Sequence, residues 1–172
     1  HPNMKESQAN KALVDAVSDM EGVAVFNLYE LSQEIAFNID EWSKIISDAS
    51  AVIYQFPFYW MSAPSLLKKW QDEVFTFLSK TPAVAGKPLT VVTTTGSEYE
   101  AYRSGGRNRF TTDELLRPYQ VSAIHSGMSW QTPIVVYGMG TADAGKNIAE
   151  GANLYKQRVE MLIGSSNAGN NW

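Results

Sequence analysis

Apolar and polar positions along the chain follow two alternating repeats, and the alternation predicts the order of the secondary-structure elements. Residues 7–20 carry apolar side chains every three or four positions, the spacing of an amphipathic helix. The same spacing predicts helices over 40–49, 65–78, 111–127 and 144–164.

Caps and prolines refine these helices. Ser7 and Asp40 are the expected N-caps of the first two, because their side chains can accept hydrogen bonds from free backbone N–H groups. Pro64 suits the first turn of the third helix, whereas the fourth is expected either to tolerate Pro118 or to bend there. The polar, glycine-containing stretch 99–109 is predicted to be a loop.

Continuous apolar or β-branched runs separate the helical segments and predict strands over 22–28, 50–57, 87–96 and 132–138. The run 50–57 has the composition of a strand buried on both faces of a parallel sheet. Strand and helix therefore alternate, which predicts an α/β fold with a doubly wound parallel sheet. We expect one domain over 1–172, because no repeat or linker interrupts the pattern.

Composition narrows the function classes. The net charge of -4 and the scattered basic residues disfavour a nucleic-acid surface. With no cysteine and only two histidines, the chain offers no disulfide, no thiol nucleophile and no His- or Cys-rich metal site. Because no apolar run approaches the roughly 18 residues of a membrane span and no signal peptide is visible, we expect a cytoplasmic protein.

Three loops are expected to meet at one edge of the sheet, because right-handed crossovers place the carboxyl ends of parallel strands together. They are 1–7, 57–64 and 93–102. In the first, Ser7 and Asn10 lie beside a helix N-terminus that can attract a phosphate, although on this stretch alone ordinary capping is the favoured explanation.

The other two loops favour a flat ligand. The stretch QFPFYWMSAP, residues 55–64, places aromatic surface where water reaches it unless a planar ring covers it. A hydrophobic dimer seam or a core cluster is the alternative. The third loop offers the hydroxyl groups of Thr93, Thr94 and Thr95, and Gly96 would let a ligand approach the backbone closely. The alternative is an ordinary threonine-rich strand end followed by a polar loop.

Four stretches together resemble the NAD(P)H:quinone oxidoreductase family of flavodoxin-like flavoproteins. They are HPN…S.AN (1–10), QFPFYWMSAPSLLKKWQDEVF (55–75), TTTG…AY (93–102) and RPYQVSAIHSGMSW..P (117–133). The chain is most similar to small bacterial FMN-containing members, which include ancillary subunits of glutathione-gated potassium efflux systems. The resemblance implies the strand order 2-1-3-4-5.

The resemblance also implies which residues hold a flavin and which act on the substrate. Tyr102 and Asn108 would face the substrate as catalytic residues. Some family members have histidine where Asn108 stands, and asparagine cannot transfer protons at neutral pH, so Asn108 would only orient a hydrogen bond. The cofactor-binding residues implied are His1, Ser7, Ala9, Asn10, Pro57, Phe58, Tyr59, Trp60, Met61, Thr94, Thr95, Gly96 and Tyr102.

The activity implied is flavin-dependent, two-electron hydride transfer from NADPH or NADH to a quinone-like acceptor, in a homodimer. We expect FMN rather than FAD, because the short C-terminal end leaves little for the extra domain of FAD-containing relatives. Arg103, Arg107 and Arg109 either meet the 2′-phosphate of NADPH or are solvated loop charges. The alternatives are a regulatory subunit docked on a membrane potassium efflux transporter, and a flavodoxin-type electron carrier.

The resembled family has an apolar strand directly before the His-Pro pair, whereas this sequence starts at His1. In the order 2-1-3-4-5 that first strand lies inside the sheet, so its loss would leave unpaired backbone groups on its neighbours. We therefore expect residues before His1, or another segment, to fill that place.

Overall fold

The computed structural model describes residues 1–31 and 36–168, and within them the predicted α/β architecture with a parallel sheet is confirmed. The strands are β1 (Val52–Pro57), β2 (Pro88–Thr94), β3 (Ser129–Trp130) and β4 (Ile134–Val136). β2 pairs with β1 on one side and with β3 and β4 on the other, always in parallel. All strands therefore end at the same edge.

The helices connect and cover these strands. Their bounds are α1 Gln8–Asp15, α2 Leu28–Leu31, α3 Ile39–Asp48, α4 Ser65–Trp70, α5 Thr76–Leu78, α6 Thr112–Leu115, α7 Arg117–His125 and α8 Ala144–Ala168. A π-helical turn, Gln71–Phe75, joins α4 to α5, and a 3₁₀ turn spans Tyr99–Tyr102.

The core lies on both faces of the sheet, because successive side chains of a strand point to opposite sides. Leu89 and Val91 of β2 pack in the larger cluster with α3, α4 and α7, which includes Trp70. Val92 packs in the other cluster, where α1 and α8 supply Leu13 and other apolar residues. This alternation fixes the register of β2 and thus the direction of the loop that follows it.

The strand predicted over 22–28 is wrong. Residues 23–27 form no strand, and Leu28 already begins α2. The physical reason is pairing: among the described residues, none forms a ladder with this segment or with the edge of β1 that faces away from β2. An extended segment without such a ladder has no strand hydrogen bonds.

A cavity of about 790 Å³ lies beside that free edge of β1. Residues 22–30 line one side, β1 another, and α8 contributes Tyr155 and Val159. Within 1–31 and 36–168 no segment fills this place as a strand, and the expectation of residues before His1 or another segment stays a prediction.

The helix predictions are confirmed in position and corrected in detail. Ser7 caps α1 as predicted, since its Oγ accepts from the Asn10 N–H at 3.2 Å. Asp40 is not the N-cap of α3; Asn38 is, because its Oδ1 accepts from the N–H groups of Asp40 and Glu41. The helix predicted over 111–127 is two helices that meet at Leu116.

Other elements also differ from the pattern in their bounds or regularity. The first helix ends at Asp15, and turns follow where the apolar spacing continued. The last helix extends beyond the predicted end at 164, to Ala168. The predicted strand 132–138 is regular only over Ile134–Val136, and the short β3 lies before it. The predicted helix 65–78 is present but contains the π-helical turn.

Candidate functional site

The three loops named from the sequence meet at the carboxyl edge of the sheet. Asn10 Nδ2 donates to Thr94 Oγ1 at 3.1 Å, which joins the first loop to the end of β2. The Phe58 N–H donates to the Thr94 carbonyl at 2.9 Å, which joins the second loop to the same residue. Tyr59 OH and His1 Nε2 lie 3.2 Å apart. Residues 1–10, 57–61 and 94–96 therefore form one surface.

The first loop is held by the helix that it enters. Ala9 and Asn10, in the first turn of α1, are buried, and Gln55 Nε2 of β1 donates to the Asn10 carbonyl at 3.0 Å. Asn10 Oδ1 is buried and has no hydrogen-bond partner within the described chain. Asn10 also lines the cavity beside β1.

The second loop contains a tight turn with strained backbone. Tyr59 and Ser62 exchange both backbone hydrogen bonds, at 2.8 and 3.0 Å, across Trp60 and Met61. These two central residues have φ of 48° and 63°, the left-handed region that side chains other than glycine rarely adopt. Such residues cost about 1–3 kcal/mol each and tend to cluster at ligand sites. The turn leaves Trp60 98% exposed.

That turn also decides which backbone amides are available. The N–H groups of Phe58 and Tyr59 are used within the protein, by Thr94 and Ser62. Those of Trp60 and Met61 donate to no residue in the part of the chain that the structure describes. A ligand at this wall would therefore find its donors at the centre of the turn.

The second loop is anchored by a residue that the sequence pattern does not identify. Tyr119 of α7 accepts from the Ala63 N–H at 3.1 Å, and its hydroxyl lies 3.2 Å from Ser62 Oγ. Its ring is 5% exposed and packs 5.2 Å from Phe56. In the sequence Tyr119 counts only as an apolar helix position, so its pattern gives no indication of this contact.

The third loop is braced by a segment that sequence analysis also missed. Three successive amides, of Gly138, Met139 and Gly140, donate to the carbonyls of Ser97, Thr95 and Gly96 at 2.8–2.9 Å. Gly138 has φ of 78°, a conformation that glycine adopts at no steric cost. The Gly-Met-Gly stretch after the last predicted strand was the available sign of such a turn.

Tyr102 joins the second and third loops. Its ring lies 6.1 Å from that of Phe58, and it is only 5% exposed. Burial raises the pKa of the Tyr102 phenol, and hydrogen bonds with the side chains of Thr95 and Ser97 act in the opposite direction. The phenol is therefore neutral at physiological pH and able to donate a hydrogen bond.

Asn108, the second predicted catalytic residue, lies at the base of the loop that follows Tyr102. Its N–H donates to the Ala101 carbonyl at 2.9 Å. Its Nδ2 is buried and has no partner among the described residues. This donor is consistent with an orienting role and not with proton transfer.

The arginines of this loop do not form one cluster. Arg107 Nη2 donates to Ser97 Oγ at 2.6 Å, at the rim of the third loop, whereas the Arg103 guanidinium lies 5.4 Å from the centre of the Tyr99 ring. Arg109 has left-handed backbone, with φ of 61°. Arg107 and Arg103 therefore contact the third loop at different residues, Ser97 and Tyr99.

The surface suits a flat ring with a phosphate tail. The start of α1 offers a helix N-terminus, Phe58 to Met61 offer aromatic and sulfur surface, and the free amides of the turn can meet polar ring edges. In the residues described, no group of three or more His, Cys, Asp or Glu side chains could hold a metal ion. None of the described helices is long and apolar enough to cross a membrane.

Comparison with known proteins gives the same fold. Residues 1–159 match the family described as Flavodoxin-like fold. The chain is 34% identical over 166 residues to the uncharacterized NAD(P)H oxidoreductase YdeQ of Bacillus subtilis (strain 168), covering 94% of this chain and 84% of that protein. It is 36% identical over 141 residues to KefG, the ancillary protein of the glutathione-regulated potassium-efflux system of Serratia proteamaculans (strain 568), covering 80% and 77%.

Two solved structures are also similar. General stress protein 14 of Treponema denticola, in complex with FMN, superposes with a TM-score of 0.85 at 27% identity, covering 94% of this chain and 95% of that one. An NADPH-quinone reductase from P. pentosaceus superposes with a TM-score of 0.77 at 27% identity, covering 92% of each chain.

Proposed function

We propose that this chain, which belongs to the flavodoxin-like fold family, is an FMN-dependent NAD(P)H oxidoreductase that reduces quinone-like acceptors. The observation that carries the proposal is the convergence of the three loops on Thr94 and Tyr59. The FMN in the Treponema structure and the oxidoreductase and quinone reductase relatives support it. We also propose that residues 1–172 form one domain.

The residues present fit FMN. The N-terminus of α1, with Ser7 and Asn10, would hold the phosphate, since backbone N–H groups and the helix dipole favour an anion there. Phe58 to Met61 would cover one edge of the ring, and Thr94, Thr95 and Gly96 would lie along its other side. His1, Ala9 and Pro57 complete the proposed binding set.

When bound, FMN would supply the redox chemistry, a hydride taken from the nicotinamide and two electrons passed on to the acceptor. The chain contributes alignment of the stacked rings and exclusion of water. Tyr102, neutral and buried beside Phe58, offers a hydrogen-bond donor to the acceptor oxygen. Asn108 Nδ2 offers a second donor that holds orientation without moving a proton.

A homodimer is part of the proposal. Trp60 is almost fully exposed in the single chain, at the tip of the wall that would contact the cofactor. Exposed aromatic surface of this kind marks a ligand or a protein interface. A second copy packed against this turn would cover Trp60 and complete the site.

The first experiment is spectroscopic. The purified protein, supplied with FMN, should gain a flavin spectrum that bleaches anaerobically with NADH or NADPH and returns when a quinone is added. The nucleotide, NADH or NADPH, that bleaches the flavin faster is the preferred electron donor. A protein that takes up no flavin would overturn the proposal.

A variant tests the phosphate contact. Asn10→Asp places a carboxylate at the proposed phosphate position and should weaken FMN binding at least tenfold, an electrostatic penalty of about 1.4 kcal/mol or more. Riboflavin, which lacks the phosphate, should bind both proteins alike. Asn153→Asp on the exposed face of α8 is the matched control. Equal losses for FMN and riboflavin would contradict this placement of the phosphate.

The likeness to KefG favours a second candidate, a regulatory subunit of a potassium efflux transporter. In that case flavin would bind, but quinone turnover would be slow and would not depend on Tyr102. A Tyr102→Phe variant with unchanged turnover, together with binding to transporter-containing membranes, would favour the regulator over the enzyme.

A further inference from the structure

A second tyrosine, Tyr137, also packs beside the Tyr102 ring. Tyr137 directly follows β4, and its ring centre lies 5.9 Å from that of Tyr102 at an interplanar angle of 50°. Tyr99 meets the Tyr137 ring edge-on, at 5.3 Å and 80°. The Tyr102 ring therefore contacts both Phe58 of the second loop and Tyr137, which lies outside the three loops.

Tyr137 is itself held at two points. Its hydroxyl lies 2.6 Å from Thr112 Oγ1, and its carbonyl accepts from Asn147 Nδ2 of α8 at 2.9 Å. Thr112 is the first residue of α6 and is 5% exposed. The N-cap Thr111 and Glu114 form a capping box that fixes this turn. The Thr112 hydroxyl thus has a set position against which Tyr137 is oriented.

We propose that Tyr137, oriented by the Thr112 hydroxyl, is a positioning residue that sets where Tyr102 presents its ring and phenol to the acceptor. This inference rests on the proposed function. In this proposal Tyr137 acts through its contact with the Tyr102 ring, and the two rings border the same cavity. Its loss should change the acceptor side of the site and leave the phosphate end unchanged.

Charged and titratable groups surround this pair of tyrosines. Glu98 and Arg107 act on the Tyr102 phenol in opposite directions, while Asp113 and Tyr99 face Tyr137. None of these groups is itself substituted in the Tyr137 variants, although Tyr99 loses its edge-on ring contact in Tyr137→Leu. Burial raises the pKa of both phenols, so both rings are neutral near neutral pH.

The test is a double-mutant cycle on the two hydroxyls. Tyr137→Phe and Thr112→Val each remove one partner and should each raise the KM for a soluble quinone about threefold, with kcat nearly unchanged. The double variant should be no worse than either single one, because the effect belongs to the pair. Tyr137→Leu, which also removes the ring, should raise that KM about tenfold or more. Additive effects in the cycle would overturn the proposal.

Tyr155→Phe is the matched control, because it removes a buried tyrosine hydroxyl in the other core cluster. It should leave the KM for the quinone unchanged. FMN affinity, measured by fluorescence quenching, should stay within about twofold in every variant. If the wild-type protein binds no flavin, the proposed function fails. If it binds flavin and turns over while the Tyr137 variants match the wild type, only the positioning role of Tyr137 fails.

A readout that needs no turnover uses protein labelled with ¹³C at the tyrosine ring carbon that bears the hydroxyl. NMR titration, with Tyr102→Phe to assign the resonance, follows the Tyr102 phenol directly. In Tyr137→Leu its pKa should move down, towards the ordinary tyrosine value, because water replaces the lost ring and desolvation weakens. An unchanged titration would show that Tyr137 does not define the surroundings of Tyr102.

Discussion

Single residues decide how closely the loop after Tyr102 can fold back on itself. A Cβ at Gly106 would lie 2.1 Å from the Glu100 carbonyl oxygen and 2.8 Å from that of Ala101. The neighbouring Gly105 has nothing within 4 Å of the same position. Since backbone atoms cannot move aside as a flexible side chain does, only Gly106 is required by the packing.

Gly106→Ala should therefore displace the 3₁₀ turn that carries Tyr102 and destabilise the fold by about 1–3 kcal/mol, the range for overpacked sites. It should also lower the kcat/KM for the quinone. Gly105→Ala should change neither. Urea unfolding and steady-state kinetics measure the pair. Equal behaviour of the two alanine variants would contradict the close approach.

At the scale of elements, the distance between α8 and the sheet is set by a small residue. A Cβ at Gly151 would lie 2.3 Å from Val136 Cγ2, so the helix packs directly against β4. β4 ends beside the turn that braces the third loop. The position of α8 is thus linked, through Val136 and the 138–140 turn, to the site.

Gly151→Ala should destabilise the protein by about 1–3 kcal/mol, because the added methyl group pushes α8 away from β4. Gly164, in the same helix, has nothing within 4 Å of an added Cβ. Gly164→Ala should leave stability unchanged or raise it by up to about 1 kcal/mol, through helix propensity alone. Thermal unfolding of both variants measures the difference, and a stabilised Gly151→Ala protein would refute this packing.

At the scale of the whole molecule, buried tyrosines make stability depend on pH at the alkaline end. Burial raises the pKa of Tyr155 to about 12, and burial also raises the pKa of Tyr54. In the unfolded chain these phenols ionise near pH 10. The folded state holds the phenol proton more tightly than the unfolded chain. The contribution of this group to the free energy of unfolding is therefore fully present below pH 10 and decreases as pH rises from about 10 to 12.

The free energy of unfolding should accordingly fall over that interval, by about 2–3 kcal/mol for Tyr155 alone, at 1.36 kcal/mol for each pKa unit. Tyr155→Phe should flatten this decline while removing little apolar burial. Urea titrations at a series of alkaline pH values give the slope. If the free energy of unfolding falls equally with pH in the wild type and in the variant, Tyr155 is not the cause of the decline.

The periodicity of the chain was enough to predict the alternation of helices and strands, since apolar spacing depends only on which faces are buried. It also predicted the N-cap Ser7, and the resemblance to the quinone oxidoreductase family is confirmed. The periodicity wrongly predicted a strand over 22–28, because a strand needs a neighbouring strand to pair with. The sequence also wrongly predicted Asp40 as an N-cap, because capping depends on which side chain folds back onto the free N–H groups. The flavin contacts and the roles of Tyr102 and Asn108 stay predictions.

The sequence by itself determined the wound sheet and the three loops at its edge, because burial pattern and handedness act locally and uniformly along the chain. Only the tertiary structure decided the contacts that arise between distant residues. Examples are Tyr119 bonded to the second loop, Tyr137 packed beside Tyr102, and the left-handed turn at Trp60 and Met61. Such contacts depend on packing in three dimensions, and no spacing of residue types encodes them.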